Sequence, residues 1–513
     1  MPQDVSCLVG RAAGLSALAM LAALAACPAA MGAGAVATAP INTSVDIALT
    51  TTHAGANGYL EDAPRITFSG PTGQTGRARA FWDGGGRFVF RFAPTAAGEW
   101  RYRVRSTYPD LEGRTAAIRA TAPGRPGFVR VDSQYPRAFR RQTGEWFYWL
   151  GDTAWNFFLR ATPEQAAEYA RLRRGQGFTI VQVGLVHHWG DAPASNEGGA
   201  FFFDGDADRL NPGFFQAVDR KMRALTAQRL VPVLFLTWGN EVTSLKPEQF
   251  ERFIRYAAAR YAAFDILWSL SGEWDYARDR IADWRRWGAL LHSEDPYGHP
   301  ISIHAQQWGT SLQSFADQDW LGFSLQQSYV HTAGVHPMAL EDRARGKPMP
   351  IVNGEAQYEG LHYPRGGLTS ADLVRRNAWA VITGGAFHTY GGKGIWDFDP
   401  QVWRAAVTLP GALQVAALGR LMRAQEWWTM EPADARLQVK GGGEAFCLAG
   451  PTSWVVYVNP GEKFSCRLNL ERPMRLRWLD PRSGDWSGPE TAVQPPTLDL
   501  HAPGPGDWVA VLR

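Results

Sequence analysis

The chain has 513 residues, a formal net charge of +3, a hydrophobic fraction of 45% and a charged fraction of 20%. That balance excludes a disordered polyelectrolyte, and with no dense Lys/Arg run it gives no reason to expect nucleic acid as a partner. The length exceeds one ordinary core and predicts about two to four domains.

Residues 1–40 read as a signal peptide and processing region. Arg11 precedes an alanine-rich apolar run over 12–26, too short to span a membrane as a mature helix and suited to a secretory h-region. Leu24-Ala25-Ala26-Cys27 fits a bacterial lipobox, which would make Cys27 a lipid anchor; cleavage in the small-residue tract 30–39 is the alternative. Either route predicts an exported protein, periplasmic, anchored in the outer membrane as a lipoprotein, or extracellular. Cys447 and Cys466 remain in the mature chain in both cases. They are too few for a cysteine-rich zinc site, and either a disulfide or two buried thiols fits them.

From 42 to 122 short alternating strands are separated by Gly, Pro, Asn and Asp. Arg87-Phe88-Val89-Phe90-Arg91-Phe92 and Trp100-Arg101-Tyr102-Arg103-Val104-Arg105 both alternate with period two, which predicts an N-terminal β-sandwich. The grammar then changes to strand, helix, strand, helix over 128–430. Apolar strands are predicted at 146–150, 178–185, 230–236, 265–270, 301–304, 321–325, 350–353 and 386–390. Thr162-Pro163-Glu164-Gln165 is an N-cap, a first-turn proline and a capping-box glutamine, with Gly175 expected to close that helix. Stretches 246–261 and 371–382 are also helical, and one long helix is expected from 403 to 428. Repeated βα units without a glycine-rich phosphate turn predict a (β/α)8 TIM barrel rather than a doubly wound sheet. Strand patterns resume over 432–513 as a C-terminal β-sandwich. The fold class is therefore multidomain, a central barrel flanked by two all-β domains.

The chemistry-bearing residues stand at the ends of the predicted strands, where a barrel builds its active site. Ser269-Leu270-Ser271-Gly272-Glu273 closes strand four and Ile351-Val352-Asn353-Gly354-Glu355 closes strand seven, each an apolar run, a glycine and an acid. Two carboxylates facing each other across a barrel mouth meet the requirement of glycoside hydrolysis: a proton donor to the leaving oxygen, and a nucleophile or base on the opposite ring face. Glu273 is assigned as acid/base and Glu355 as nucleophile of a retaining mechanism, with Asp275 and Glu359 as neighbours that a loop could turn inward. Polar and aromatic residues for a sugar are expected from Asp152 and Trp155 after strand one, His187 and His188 after strand two, and Trp238 and Asn240 after strand three. His304, Tyr329, Tyr358 and Trp396 complete the set from later strand ends. Tyr329 could hold the nucleophile's oxygen, and Trp396 could floor a sugar subsite. The 22 tryptophans suit both roles of indole, core filling and stacking on the C–H faces of sugars.

A catalytic metal has weak support, since no His-Glu-x-x-His is present and strand two alone places two histidines together. The absence of Gly-x-Ser-x-Gly argues against a serine hydrolase. No metal and no cofactor are expected. Several motifs in order, Trp149-Leu150-Gly151-Asp152-Thr153-Ala154-Trp155-Asn156, Gly177-Phe178-Thr179-Ile180-Val181-Gln182-Val183, Asp295-Pro296-Tyr297-Gly298-His299-Pro300, Asn353-Gly354-Glu355-Ala356-Gln357-Tyr358-Glu359-Gly360 and Thr389-Tyr390-Gly391, resemble the apiosidase-like family of bacterial glycoside hydrolases. The flanking regions resemble the β-sandwich that precedes that barrel and the collagen-binding-type domain that follows it. The resemblance implies exo-acting hydrolysis of a sugar, with apiose of pectic rhamnogalacturonan II as the best-known glycone. It also implies a catalytic acid after strand four and a glutamate after strand seven, at Glu273 and Glu355. Where the family's strand-four motif often reads Gly-Gly-Asp, this chain has Ser271-Gly272-Glu273, whose acid reaches one methylene further. The expected partner is an oligo- or polysaccharide; the oligomeric state is open. A non-catalytic carbohydrate- or matrix-binding surface protein with an inactive barrel is the alternative reading.

Overall fold

The computed structural model describes residues 36–186, 194–202, 205–328, 334–363 and 367–513. Eight parallel strands form the central sheet: β1 (Leu150–Thr153), β2 (Ile180–Gly184), β3 (Val231–Phe235), β4 (Leu267–Ser269), β5 (Ile301–Ser302), β6 (Ser324–Gln327), β7 (Ile351–Glu355) and β8 (Phe387–Tyr390). Their spatial order is 5-4-3-2-1-8-7-6, and the seam between β5 and β6 is bridged by Ile301 and Leu321. The Gly322 N–H donates to the Ile301 carbonyl across that seam at 2.8 Å, so the sheet closes into a (β/α)8 barrel. The strands are buried on both faces, which is why they read as continuous apolar runs.

A helix follows each strand: α1 (Pro163–Gln176), α2 (Pro212–Ala227), α3 (Pro247–Tyr261), α4 (Ile281–Glu294), α5 (Leu312–Phe315), α6 (Val335–Ala344), α7 (Ala371–Thr383) and α8 (Pro410–Arg423). The capping box at Thr162 and Gln165 forms as its sequence dictates. Three expectations shift. Gly175 lies inside α1, and Gly177, with φ at +94°, supplies the left-handed turn that ends it. The long helix expected over 403–428 is instead Trp403–Ala406, a break, and α8. Pro410 lacks an N–H for a preceding turn and so opens a helix rather than continuing one. Strand one was expected at 146–150. Trp146–Phe147 instead pairs antiparallel with Phe139–Arg141, which also pairs with Val129–Val131, and β1 begins only at Leu150. Phe139 from this small sheet packs on Trp149, Phe323 and Phe387, closing the N-terminal end of the barrel.

The N-terminal region is two facing sheets, one of five strands and one of three, and its first strand, Ala37–Pro40, pairs parallel to Thr115–Thr121. The three-stranded sheet leans on the barrel. Arg91 from it enters a buried cluster in which Asp219 of α2 accepts from both Arg91 and Arg260, at 2.8 and 2.7 Å. The C-terminal region pairs a six-stranded with a three-stranded sheet. Alternate residues of Trp454–Pro460 serve different cores: Val456 and Val458 fill this sandwich, while Val455 and Tyr457 join the barrel's core, with Tyr457 stacked on Trp379 of α7. Cys447 and Cys466 are buried free thiols. Among the described residues no helix is long and apolar enough to cross a membrane.

Candidate active site

A cavity of about 420 Å³ opens at the C-terminal end of the barrel strands, and both Glu273 and Glu355 line it. Glu355 is the last residue of β7 and only 8% exposed. Glu273 follows β4 with φ at +41° and ψ at 51°, a left-handed conformation uncommon for a side chain of this size. The strain is over-determined by its surroundings. Beside it Gly272 N–H donates to the Thr237 carbonyl, and Gly272 C=O accepts from Gly239 N–H. The Trp238 indole lies directly on Gly272, where an added Cβ would come within 2.3 Å of the ring. The glycine before the acid is therefore fixed by close packing.

The register between β6 and β7 slips, Gln326 pairing with Asn353 but Gln327 with Glu355, so that Gly354 of β7 is the extra residue and Gln327 stands opposite Glu355. Such a slip re-aims a side chain, and Gln327 donates through Nε2 to Glu273 Oε1 at 3.3 Å. Tyr358 hydrogen-bonds the Glu355 carboxylate through its hydroxyl, while the Trp155 indole N–H donates to the same tyrosine oxygen at 2.9 Å. His304 Nε2 lies 3.7 Å from Glu355 Oε2. Burial holds His304 neutral, its pKa pushed down to about 3.

Burial and the neighbouring Glu273 charge push Glu355 up to about 8, against the Tyr358 hydrogen bond, which lowers it. Glu273 is also raised, by burial first and then by the Asp275 charge, with the Gln327 hydrogen bond opposing. A buried and a half-buried carboxyl that disfavour each other's charge titrate as a pair.

Trp155, Trp238, Tyr358 and Trp396 line the cavity with the two acids, and Trp396 lies nearly parallel to Tyr358, ring centres 6.2 Å apart. Other expected site residues lie elsewhere. Because β1 begins at Leu150, Asp152 falls within the strand. It is fully buried against α1, accepting from Arg173 Nε at 2.6 Å and from the Tyr169 hydroxyl at 2.5 Å. Glu359 turns away to accept from the Tyr390 hydroxyl and the Gly411 N–H at the start of α8. Asn240 is exposed in the short helix Gly239–Val242, outside the cavity lining. Asp275 stands behind Glu273 and accepts from the Gln306 N–H at 2.9 Å. His187, His188 and Tyr329 lie outside the described residues, as does Cys27.

Sequence reasoning missed Tyr276, Gln306, Gln307, Gln327, Leu361 and Tyr363, which complete the lining. Gln306 and Gln307 stand just past strand five, a position that signals a barrel mouth. Gln327 became a site residue through the slip at Gly354, and that glycine inside an apolar strand is the signal that could have found it. Among the described residues no three His, Cys, Asp or Glu side chains are grouped to hold a metal ion.

The family described as "Apiosidase-like, catalytic domain" matches residues 133–429, and residues 41–107 match a "Domain of unknown function (DUF5060)". No curated protein matches. Among solved structures, a candidate glycoside hydrolase from Bacteroides vulgatus is similar over 93% of this chain and 99% of its own, with a TM-score of 0.75 and 20% identity. A glycoside hydrolase family 5 structure from the same species covers 75% of this chain and 93% of its own, at a TM-score of 0.67 and 20% identity. These likenesses establish a glycoside-hydrolase fold: the barrel and its flanking β domains. The catalytic-domain match spans more than half of the sequence and both acid-bearing strand ends, and the chain belongs to the apiosidase-like family.

Proposed function

We propose that this protein is an exported, retaining glycoside hydrolase, with Glu273 as acid/base and Glu355 as nucleophile, acting on a glycan whose terminal sugar is apiose or a related furanose. The observation that carries the reading is the convergence of these two carboxylates, from the ends of β4 and β7, in one aromatic-lined cavity. Export rests on the apolar leader sequence, and the glycone on family membership.

The reaction asks for one proton and one negative charge on the pair. Glu355 is more deeply buried than Glu273, so the shared proton rests there before substrate binds. As positive charge develops at the anomeric carbon, a carboxylate beside it is favoured in its ionised form. The Tyr358 hydroxyl stabilises that form by hydrogen bonding. The proton then belongs on Glu273, which delivers it to the leaving oxygen. Once Glu355 is bonded to the sugar its charge is gone, the repulsion that held Glu273 protonated falls, and Glu273 takes a proton from water for the second step.

Chromatography of sugars released from rhamnogalacturonan II side-chain fragments and a furanoside panel tests the activity. Glu273→Ala and Glu355→Ala are each expected to lower turnover by roughly 10²–10⁴-fold or more. Azide assigns the roles: it should restore turnover of Glu355→Ala with a glycosyl azide of inverted configuration, and of Glu273→Ala with the retained anomer. Binding of a glycan without release of any sugar would favour the non-catalytic alternative.

A further inference from the structure

The N-terminal sandwich presents its five-stranded sheet outward, and that face is strongly basic although the whole chain carries only +3. Strand Arg65–Ser69 runs between Thr75–Arg79 on one side and Gly98–Arg105 on the other, with Thr115–Thr121 beyond. Cross-strand register builds the face in rows. Arg79, Arg65 and Arg105 form one row; Arg77, Thr67, Arg103 and Thr115 form the next; Thr75, Ser69, Arg101 and Ala117 form the third. The inward positions between them, Ile66, Trp100 and Val104, are buried in the sandwich, so the guanidinium groups share one side.

Thr67 and Ser69 are short, and the arginines on either side are long. The result is a shallow groove of about 840 Å³ along the strand Arg65–Ser69, floored by hydroxyls and walled by Arg77 on one side and Arg101 and Arg103 on the other, with Glu99 the one carboxylate in its lining. The backbones of walls two strands apart stand about 9.6 Å from each other, and successive arginine Cα atoms along one wall about 6.8 Å. Arg79 is taken up by Glu294 of α4 at 2.9 Å and leaves the open face to the others. Arg65 and Arg105 at the margin, and Arg101 inside, have carboxylate partners in Asp62, Glu112 and Glu99, all in exposed pairs that contribute little. Arg77 and Arg103 are exposed and form no ion pair among the described residues.

We propose that this groove is a binding site for an acidic polysaccharide, a chain bearing carboxylates at intervals. Guanidinium groups take carboxylates in a fork geometry. Hydroxyls on the floor match the neutral faces of sugar residues, and the width admits one saccharide strand. The choice of a glycan over other polyanions rests on the glycosidase reading of the barrel. The site would hold a polymer on the enzyme while the barrel works on its branches.

The test uses the full chain and a neutral, small glycoside as an internal control. Wild type should be retained on polygalacturonate at low salt, lose affinity as salt rises, and show little affinity for the fully methyl-esterified polymer. The triple variant Arg77→Gln, Arg101→Gln, Arg103→Gln should bind the acidic polymer at least ten-fold more weakly, with unchanged melting temperature and unchanged turnover of the small glycoside. The single reversal Arg103→Glu gives the same comparison should the triple variant fold poorly. Equal binding by wild type and variants, equal binding of the esterified polymer, or tighter binding of anionic vesicles or duplex DNA would overturn the proposal. Retention on polygalacturonate by a protein that hydrolyses nothing would leave this site standing and remove the glycosidase reading instead.

Discussion

At the scale of single residues, the deepest tension in the molecule sits at Glu355. Its carboxyl is raised to about 8 in the fold from an ordinary value of 4.5, so between those pH values the native state holds a proton that the unfolded chain has lost. Stability must therefore fall as pH rises through that window. Glu355→Gln removes the penalty: we expect it to melt above wild type at pH 8, by an amount on the order of 2–4 kcal/mol, with the difference vanishing near pH 4. Calorimetry at the two pH values checks the sign, and a stabilisation equal at both would refute the buried charge as its cause. The same pair should give a bell-shaped kcat/KM, with an alkaline limb near 8. Asp275→Asn, by removing a charge that raises Glu273, should shift the acid limb to lower pH. Tyr358→Phe deletes the hydrogen bond to Glu355 while keeping the ring, and a bond to a charged group of about 1.5–3 kcal/mol corresponds to a ten- to hundred-fold loss of kcat/KM. Gly391→Ala reaches the same tyrosine by sterics, since an added Cβ would stand 2.1 Å from its ring. Tyr358→Phe should leave the melting temperature nearly unchanged, whereas Gly391→Ala should lower it. The acids themselves were legible in the sequence because each ended an apolar run. Asp152 was not, because its partners Tyr169 and Arg173 lie in the following helix and its strand begins four residues later than the hydrophobic pattern suggested.

At the scale of elements, each barrel strand lies on or within a few residues of its predicted span, since strands buried on both faces leave an unbroken apolar trace. Ends were harder. Gly175 and Gly177 are equally plausible terminators by type, and only the left-handed backbone at Gly177 distinguishes them. The hairpin strand at Trp146–Phe147 was absorbed into β1 because an aromatic run looks the same in either sheet. Asp152 gives this scale its experiment, for it ties β1 to α1. Asp152→Asn would leave the buried Arg173 guanidinium without its counter-charge and should destabilise the protein by about 3–5 kcal/mol. Urea denaturation measures it. A loss below about 1 kcal/mol would mean that the other acceptors of Arg173, the Val407 carbonyl and Gln176, suffice.

At the scale of the whole molecule, the contacts that join the domains were invisible in the sequence, because their partners are separated by long stretches of chain. Arg91 reaches Asp219 across 128 positions, and nothing in the alternation of Arg87–Phe92 marks one of its arginines as inward and paired. Asp219→Ala would remove the carboxylate shared by two buried guanidiniums, leaving Arg91 with Asp46 alone and Arg260 with Asp83 alone. It should loosen the N-terminal sandwich from the barrel, seen as early protease cleavage between the two and a lower melting temperature. Cleavage unchanged from wild type would show that the remaining ties, Arg79 with Glu294, Arg223 with Asp46, Arg260 with Asp83 and the apolar contacts of Phe81 and Phe92, suffice to hold the sandwich.

The matching tie on the other side has a consequence for synthesis. Arg375 of α7, the helix that follows the strand bearing Glu355, is buried against Asp507, 132 positions further along the chain, and the Tyr457 hydroxyl donates to the same carboxylate. A chain made from its N-terminus has every barrel strand in hand long before Asp507 leaves the ribosome. Until then the Arg375 guanidinium has only Asp372 of its own helix and Gln414 of α8 as partners, and the buried Asp507 carboxylate is missing from the face where α7 docks. We expect α7 to settle late in translation, fixed by a domain outside the barrel: nascent chains halted ahead of residue 507 should expose α7 to protease while their N-terminal sandwich already resists.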